Sequence, residues 1–302
     1  MKSKIESDLA KLKSLSACPP SELAKGLSEF YTSSCGVVLK KVFDLLKVSK
    51  LQNLEPPTEA CFARLLKRPL KQDPGCLGKE AILRYILDAP SGYADLLLHS
   101  IHYVQLEPVW GGHEDSASVM RGLSALALVR SQHPDAPTRV ANLIADDELP
   151  ARRGAFEALC EAPPIWGQAL LVVMARFEGD VQLRADLQTF LLEESVMSVA
   201  SLMRDLDSER VEYREAACIA LSLVPSIETA LALLERLIEE VAPLRRRDLW
   251  GVFILASRVE DRAKWLPDLG DLGSTRIEEA LQAAREVGDQ EMIESLSAFL
   301  DA

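Results

Sequence analysis

A chain of 302 residues, 48% hydrophobic, is long enough for one or two ordinary domains and apolar enough for a continuous core. Its net charge of −12 is unevenly spread: residues 1–80 hold 14 Lys/Arg against 9 Asp/Glu, and residues 81–302 hold 20 against 37. An acidic body argues against broad phosphate-backbone binding, which depends on Lys and Arg, and suits solubility or a basic protein partner.

Six cysteines, Cys18, Cys35, Cys61, Cys76, Cys160 and Cys218, show neither CxxC pairing nor zinc-like spacing. Cys160 and Cys218 sit among apolar helix residues and read as small hydrophobes. Lys and Glu interrupt the N-terminus throughout, so it lacks a secretory core. No apolar run approaches the roughly 18–20 residues that span a bilayer. The expectation is a cytoplasmic protein with reduced thiols and no membrane contact.

Taken in chain order, the first elements are helices near 4–15, 21–31 and 36–48, the second opened by Pro19-Pro20-Ser21 with Ser21 as candidate cap. Without a repeat of its own, the segment 1–56 reads as an N-terminal helical cap. From residue 57 onward a pattern recurs: a basic residue followed three, six and seven positions later by small or apolar ones. It reads Arg121-Ser124-Ala127-Leu128, Arg152-Ala155-Ala158-Leu159, Arg184-Leu187-Phe190-Leu191 and Arg214-Ala217-Ala220-Leu221. Weaker copies start at Gly78, Arg246 and Ile277, so the steps are 43, 31, 32, 30, 32 and 31. A period of this size means stacked helical pairs. The predicted pairs are 57–88, 91–130, 137–160, 164–194, 195–224, 226–258 and 261–287, closed by a helix at 289–301.

Within each pair the second helix carries the pattern, and acidic residues often precede it: Asp73, Glu114-Asp115, Asp146-Asp147 and Asp207. Such residues satisfy orphan N–H groups and suit the positive helix end. An acid of the adjacent turn also stands within reach of the starting arginine, which predicts an Asp–Arg ladder. Pro163-Pro164-Ile165-Trp166 reads as a helix start with Trp166 packed between repeats. Arg245-Arg246-Arg247 beside Trp250 is a basic spot expected to join the ladder, and Trp265 reads as packing near the end of the stack.

The segments Asp115–Leu128, Asp147–Leu159 and Asp207–Leu221 resemble the HEAT-repeat superfamily, most closely the short-period bacterial HEAT-like repeats of the phycobilin-lyase type. The resemblance covers roughly residues 57–287. It implies an all-α fold: an α-solenoid of about seven HEAT-like pairs with helical caps, its domains being the 1–56 cap and the 57–302 solenoid. It implies partner binding as the commonest role. Enzymatic relatives each need a signature. Deoxyhypusine hydroxylases use several His-Glu pairs, and this chain has one, His113-Glu114. A bilin pocket is unmarked, and the acidic body does not suit the positively charged groove of HEAT-like DNA glycosylases.

The 43-residue step places about twelve extra residues between Ile101 and Ser116, and insertions in solenoids map to loops on one face, often the binding face. Pro108, Gly111 and Gly112 break any helix there. Trp110 either folds back to plug the groove between repeats or stands out as an interface hot spot. Tyr103, Glu107, Trp110, His113, Glu114 and Asp115 are the candidate partner-binding residues of this 105–115 loop, an aromatic and acidic patch suited to a Lys- or Arg-rich segment. Two other readings stand beside it: a metal- or small-ligand-binding enzyme centred on His99, His102 and His113, and nucleic-acid binding through the basic first 80 residues. The leading expectation is a non-enzymatic scaffold or adaptor without cofactor, binding a protein partner on the concave face of the solenoid and the 105–115 loop, in a narrower form an inhibitor or immunity protein for a basic effector. Which first-helix residues face a ligand (Arg139, Asn142, Gln168 and Arg176 are candidates) is open.

Overall fold

Every pattern start lies on a helix. The computed structural model describes residues 2–49, 56–239, 243–257, 269 and 274–301. Among them the chain is predominantly helical, with eighteen α-helices and one two-stranded hairpin. No described helix is long and apolar enough to cross a membrane. Contacts divide the chain into two compact units, 1–170 and 171–302.

In the first unit the helices are α1 (Lys2–Leu15), α2 (Pro20–Ser28), α3 (Gly36–Ser49), α4 (Thr58–Leu66), the short α5 (Pro69–Gln72), α6 (Leu77–Ile86), α7 (Ala94–Ser100), α8 (Ser118–Arg130), α9 (Ala136–Leu143) and α10 (Leu149–Cys160). α3, α6, α8 and α10 pack in file, each on the next, while α4, α7 and α9 lie against members of that file. α3 packs on α6 as α8 packs on α10, so residues 36–49 belong to the file. Helix α11 (Pro164–Phe177) carries the division between the units.

The second unit repeats the arrangement with α12 (Val181–Glu193), α13 (Val199–Leu206), α14 (Val211–Leu223), α15 (Ile227–Glu239), α16 (Pro243–Ala256), α17 (Ser274–Val287) and α18 (Gln290–Asp301). Here α12, α14, α16, α17 and α18 follow one another, with α13 and α15 alongside.

The pattern positions explain the packing. Ser124, Ala127, Leu128, Ala155, Ala158, Leu159, Leu187, Leu191, Ala217, Ala220 and Leu221 are all buried. Positions three, six and seven apart share one helix face, and small side chains there let backbones approach. In the first unit the approach is closest at glycines: a Cβ on Gly154 would lie 2.2 Å from the Gly122 Cα, and one on Gly78 would lie 2.8 Å from the Gly36 Cα. Local signals fix the helix ends. Asp180 accepts from the Leu183 N–H at 2.8 Å to cap α12. Gly288, at φ +74°, ends α17 while the Asp289 N–H reaches back to the Ala284 carbonyl.

The predicted ladder is mixed. Arg121 and Arg184 pair with Asp146 and Asp205 at 2.8 and 2.9 Å. Arg152 donates to the carbonyls of Asp146 and Asp147, and Arg214 to those of Ser208 and Glu209. Trp250 is buried edge-on to Phe253, and Trp166 is half-buried. The side chains of Arg245, Arg246 and Arg247, like Trp265, lie outside the described residues. Cys160 and Cys218 are only half-buried; Cys61 and Cys76 are the buried thiols.

Candidate functional site

The segment expected to be a loop is a β-hairpin. β1 (Leu106–Val109) pairs antiparallel with β2 (Gly112–Asp115), register Leu106↔Asp115 through Val109↔Gly112. Trp110 and Gly111 form the two-residue turn, and Gly111 adopts φ +86°, a conformation that side-chain-bearing residues rarely take. Trp110 does not plug a groove: its relative exposure is 103%.

Two short strands alone are marginal in water, and this hairpin is held at its root by buried polar groups. Lys79 and Asp73, both fully buried, pair at 2.9 Å. Lys79 also donates to Gln105 Oε1 at 2.9 Å, as does the Tyr103 hydroxyl at 3.0 Å. The amide nitrogen of Gln105 donates to the Asp73 carbonyl at 3.0 Å and to Glu107 at 2.7 Å. Glu107 accepts two further bonds, from Gly75 N–H and the Ser116 hydroxyl, each at 2.6 Å. On the second strand Asp115 accepts from the Gln105 and Ala117 N–H groups and from Arg121. Arg121 in turn grips both carboxylate oxygens of Asp146 at 2.8 Å and donates to the Tyr103 carbonyl. Every member of this network has partners, the condition under which buried polar groups rigidify a site rather than weaken it.

The carboxyl groups carry the electrostatic consequence. Burial pushes Asp115 up, but bonds from the Gln105 N–H, Arg121 and the Ala117 N–H bring it below the ordinary carboxylate range. Glu107 behaves alike: burial raises it, while Ser116, Gln105, Gly75 and the Lys79 charge pull it down further. Burial also pushes the Tyr103 hydroxyl up to about 12 and the Cys76 thiol up to about 11, keeping both neutral. Groups whose acidity is strengthened by folding stabilise the fold above their free pKa, and that contribution disappears as pH falls through the lowered value. Amide hydrogen exchange at 105–116, measured as protection relative to the intrinsic rate at each pH, should therefore stay high at neutral pH and fall below about pH 4, ahead of global unfolding. Equal protection down to the global transition would show that these carboxylates do not hold the hairpin.

The six candidate residues consequently divide. Trp110, His113 and Glu114 are exposed on the hairpin; Tyr103 and Glu107 are half-buried; Asp115 is buried at the root. They do not form one continuous surface patch, because Tyr103, Glu107 and Asp115 are spent on anchoring. Beside the root a groove of about 390 Å³ is lined by Ile101, His102, Val104, Leu106, Arg139, Leu143, Asp147 and Glu148 among others. Arg139 donates to His102 Nε2 at 2.8 Å; arginine has no acceptor, so this nitrogen is the acceptor and the ring is neutral. Burial and the Arg139 charge both lower the His102 pKa. That contact occupies the lone pair a metal would need. His99 instead packs its ring 5.9 Å from Tyr103, and among the described residues no group of three His, Cys, Asp or Glu is placed to hold a metal.

The basic N-terminal region does gather charge. Lys4, Lys11, Arg68 and Lys71 line a groove of about 550 Å³, but Asp8 and Glu29 share it, which halves the charge offered to a phosphate.

The root residues Lys79 and Gln105 escaped sequence reading. Gln105 has no signature, whereas Lys79, one place after the Gly78 pattern start in an apolar helix, was a detectable anomaly. Compared with family models, with curated proteins and with solved structures, the chain matches none.

Proposed function

We propose that the chain is a HEAT-like α-solenoid of about seven helical pairs that acts without catalysis, as a scaffold or adaptor binding another protein through the 105–115 hairpin. The observation that carries this reading is Trp110: a fully exposed indole at the tip of a hairpin whose root is locked by buried charges. Exposing a large aromatic costs solubility without adding stability, while a rigid exposed Trp is the side chain that interface hot spots favour. Preorganisation of the root lowers the ordering cost of binding. The acidic surface favours a basic partner, in the narrower form a basic effector that this chain inhibits.

Affinity capture from the native host's lysate, wild type beside Trp110→Ala, tests the reading by mass spectrometry. The expected result is a partner held by wild type and weakened by about 2 kcal/mol or more, roughly 30-fold, in the variant. An unchanged set of captured proteins would remove the hairpin from the interface.

A further inference from the structure

We infer that the open edge of β2 takes up an extended, arginine- or lysine-bearing segment of the partner as a third strand; this deepens the reading above and rests on it. The ladder parity gives the direction. Beyond the Leu106↔Asp115 pair, the Ser116 N–H donates to the Gln105 carbonyl at 3.0 Å. Hydrogen-bonded pairs alternate along an antiparallel ladder, so 107/114 and 109/112 are the bonded pairs across the hairpin, in phase with the single Ser116-to-Gln105 bond, the Gln105 N–H going instead to the Asp115 carboxylate. The backbone groups of Leu106 and Pro108 on one strand, and of His113 and Asp115 on the other, therefore point outward.

The two edges are not equivalent. Pro108 has no N–H, and a proline at that position is the usual block to strand addition. His113, its cross-strand neighbour, presents both an N–H and a carbonyl, and is exposed. An unblocked edge is a template for one more strand, with affinity from the main chain and selectivity from side chains.

Charge selects the occupant. Glu114 is exposed on β2 itself, and Asp147 and Glu148 line the groove beside the hairpin root. The nearby cations are engaged: Arg121 with Asp115 and Asp146, Arg139 with His102 and, at 3.7 Å, with Asp135. Glu114 on β2 and the acids of the groove at the hairpin root thus offer negative charge, and Trp110 at the tip offers a face for a guanidinium or ammonium.

The test uses the full chain and a fluorescein-labelled decapeptide of alternating Arg and Val, followed by anisotropy at physiological salt. Three comparisons accompany it: the same peptide N-methylated at every residue, a Glu-Val decapeptide, and the variant His113→Pro, which places a second proline opposite Pro108. Strand addition requires the Arg-Val peptide to bind, the N-methylated peptide and the His113→Pro variant each to lose at least roughly tenfold, and the Glu-Val peptide not to bind. It also requires the His113 amide to gain exchange protection in the complex. Equal binding of the N-methylated peptide, equal binding by a folded His113→Pro variant, or no binding of the Arg-Val peptide overturns it. The N-methylated peptide decides the matter if His113→Pro unfolds the hairpin. The two levels separate cleanly. A partner lost from Trp110→Ala but held by His113→Pro sinks strand addition alone, whereas a partner held by Trp110→Ala sinks the hairpin reading beneath it.

Discussion

Replacing Lys79 by methionine is expected to destabilise the first unit by about 3–5 kcal/mol, the cost of leaving a buried charge without its partner. Lys79 and Asp73 have no exposed side-chain surface, and their 2.9 Å contact is the innermost of the hairpin's anchors. Methionine fills a similar volume, so the loss is electrostatic rather than steric. Asp73 would keep only the Gly78 and Lys79 backbone N–H groups, at 2.7 and 3.1 Å, and Gln105 would lose one of two donors to its carbonyl oxygen. The double variant Lys79→Met/Asp73→Asn should recover part of the loss, because removing both charges abolishes the unpaired one. A surface comparison calibrates the scale. Arg130 and Glu161 meet at 2.6 Å, but both remain more than a third exposed, so Arg130→Met should cost under about 1 kcal/mol. Urea unfolding followed by circular dichroism measures all three. A cost for Lys79→Met no larger than for Arg130→Met would mean that the buried pair does not hold the root.

What the sequence disclosed and what it hid follow from the range of the forces involved. Helix positions were legible because each pattern copy is a local statement: Arg121-Ser124-Ala127-Leu128 places three small or apolar groups on one face within two turns, and all of them are buried. The insertion between Ile101 and Ser116 was legible as a break in period. Its conformation was not. Each strand is four residues long, too short for alternation to register, and Pro108 weakens any strand reading. The spacing did hold a clue, since Trp110-Gly111 is a two-residue connection with glycine second. The roles of Asp115 and Glu107 were illegible because they depend on Gln105, Gly75 and Lys79, up to 32 residues away in sequence. An acid that anchors and an acid that waits for a ligand look alike in a sequence; burial separates Asp115 from Glu114.

Gly154→Ala is expected to destabilise the first unit by about 2 kcal/mol, although glycine to alanine inside an exposed helix ordinarily stabilises by about 1 kcal/mol. The sign reverses because of what the new methyl would meet. At Gly154 it would stand 2.2 Å from the Gly122 Cα and 3.0 Å from the Gly122 carbonyl carbon. These are backbone atoms, which cannot rotate aside, so α8 and α10 must separate. Overpacking of this kind costs roughly 1–3 kcal/mol, sometimes more, and the separation also loosens the packing of α8 on α10. Gly251 in α16 supplies the control, since among the described residues a Cβ there would meet nothing within 4 Å; Gly251→Ala should show the ordinary gain. Opposite signs for the two variants in urea unfolding would establish that the glycine pair sets the spacing of the file. The spacing matters beyond stability. Arg121 on α8 grips Asp146 just before α10 while holding Asp115 of β2, so a wider crossing pulls on the hairpin root. Gly154→Ala should therefore also speed amide exchange at 105–116, which Gly251→Ala should leave unchanged. If neither glycine variant alters that exchange, helix spacing and hairpin order are independent.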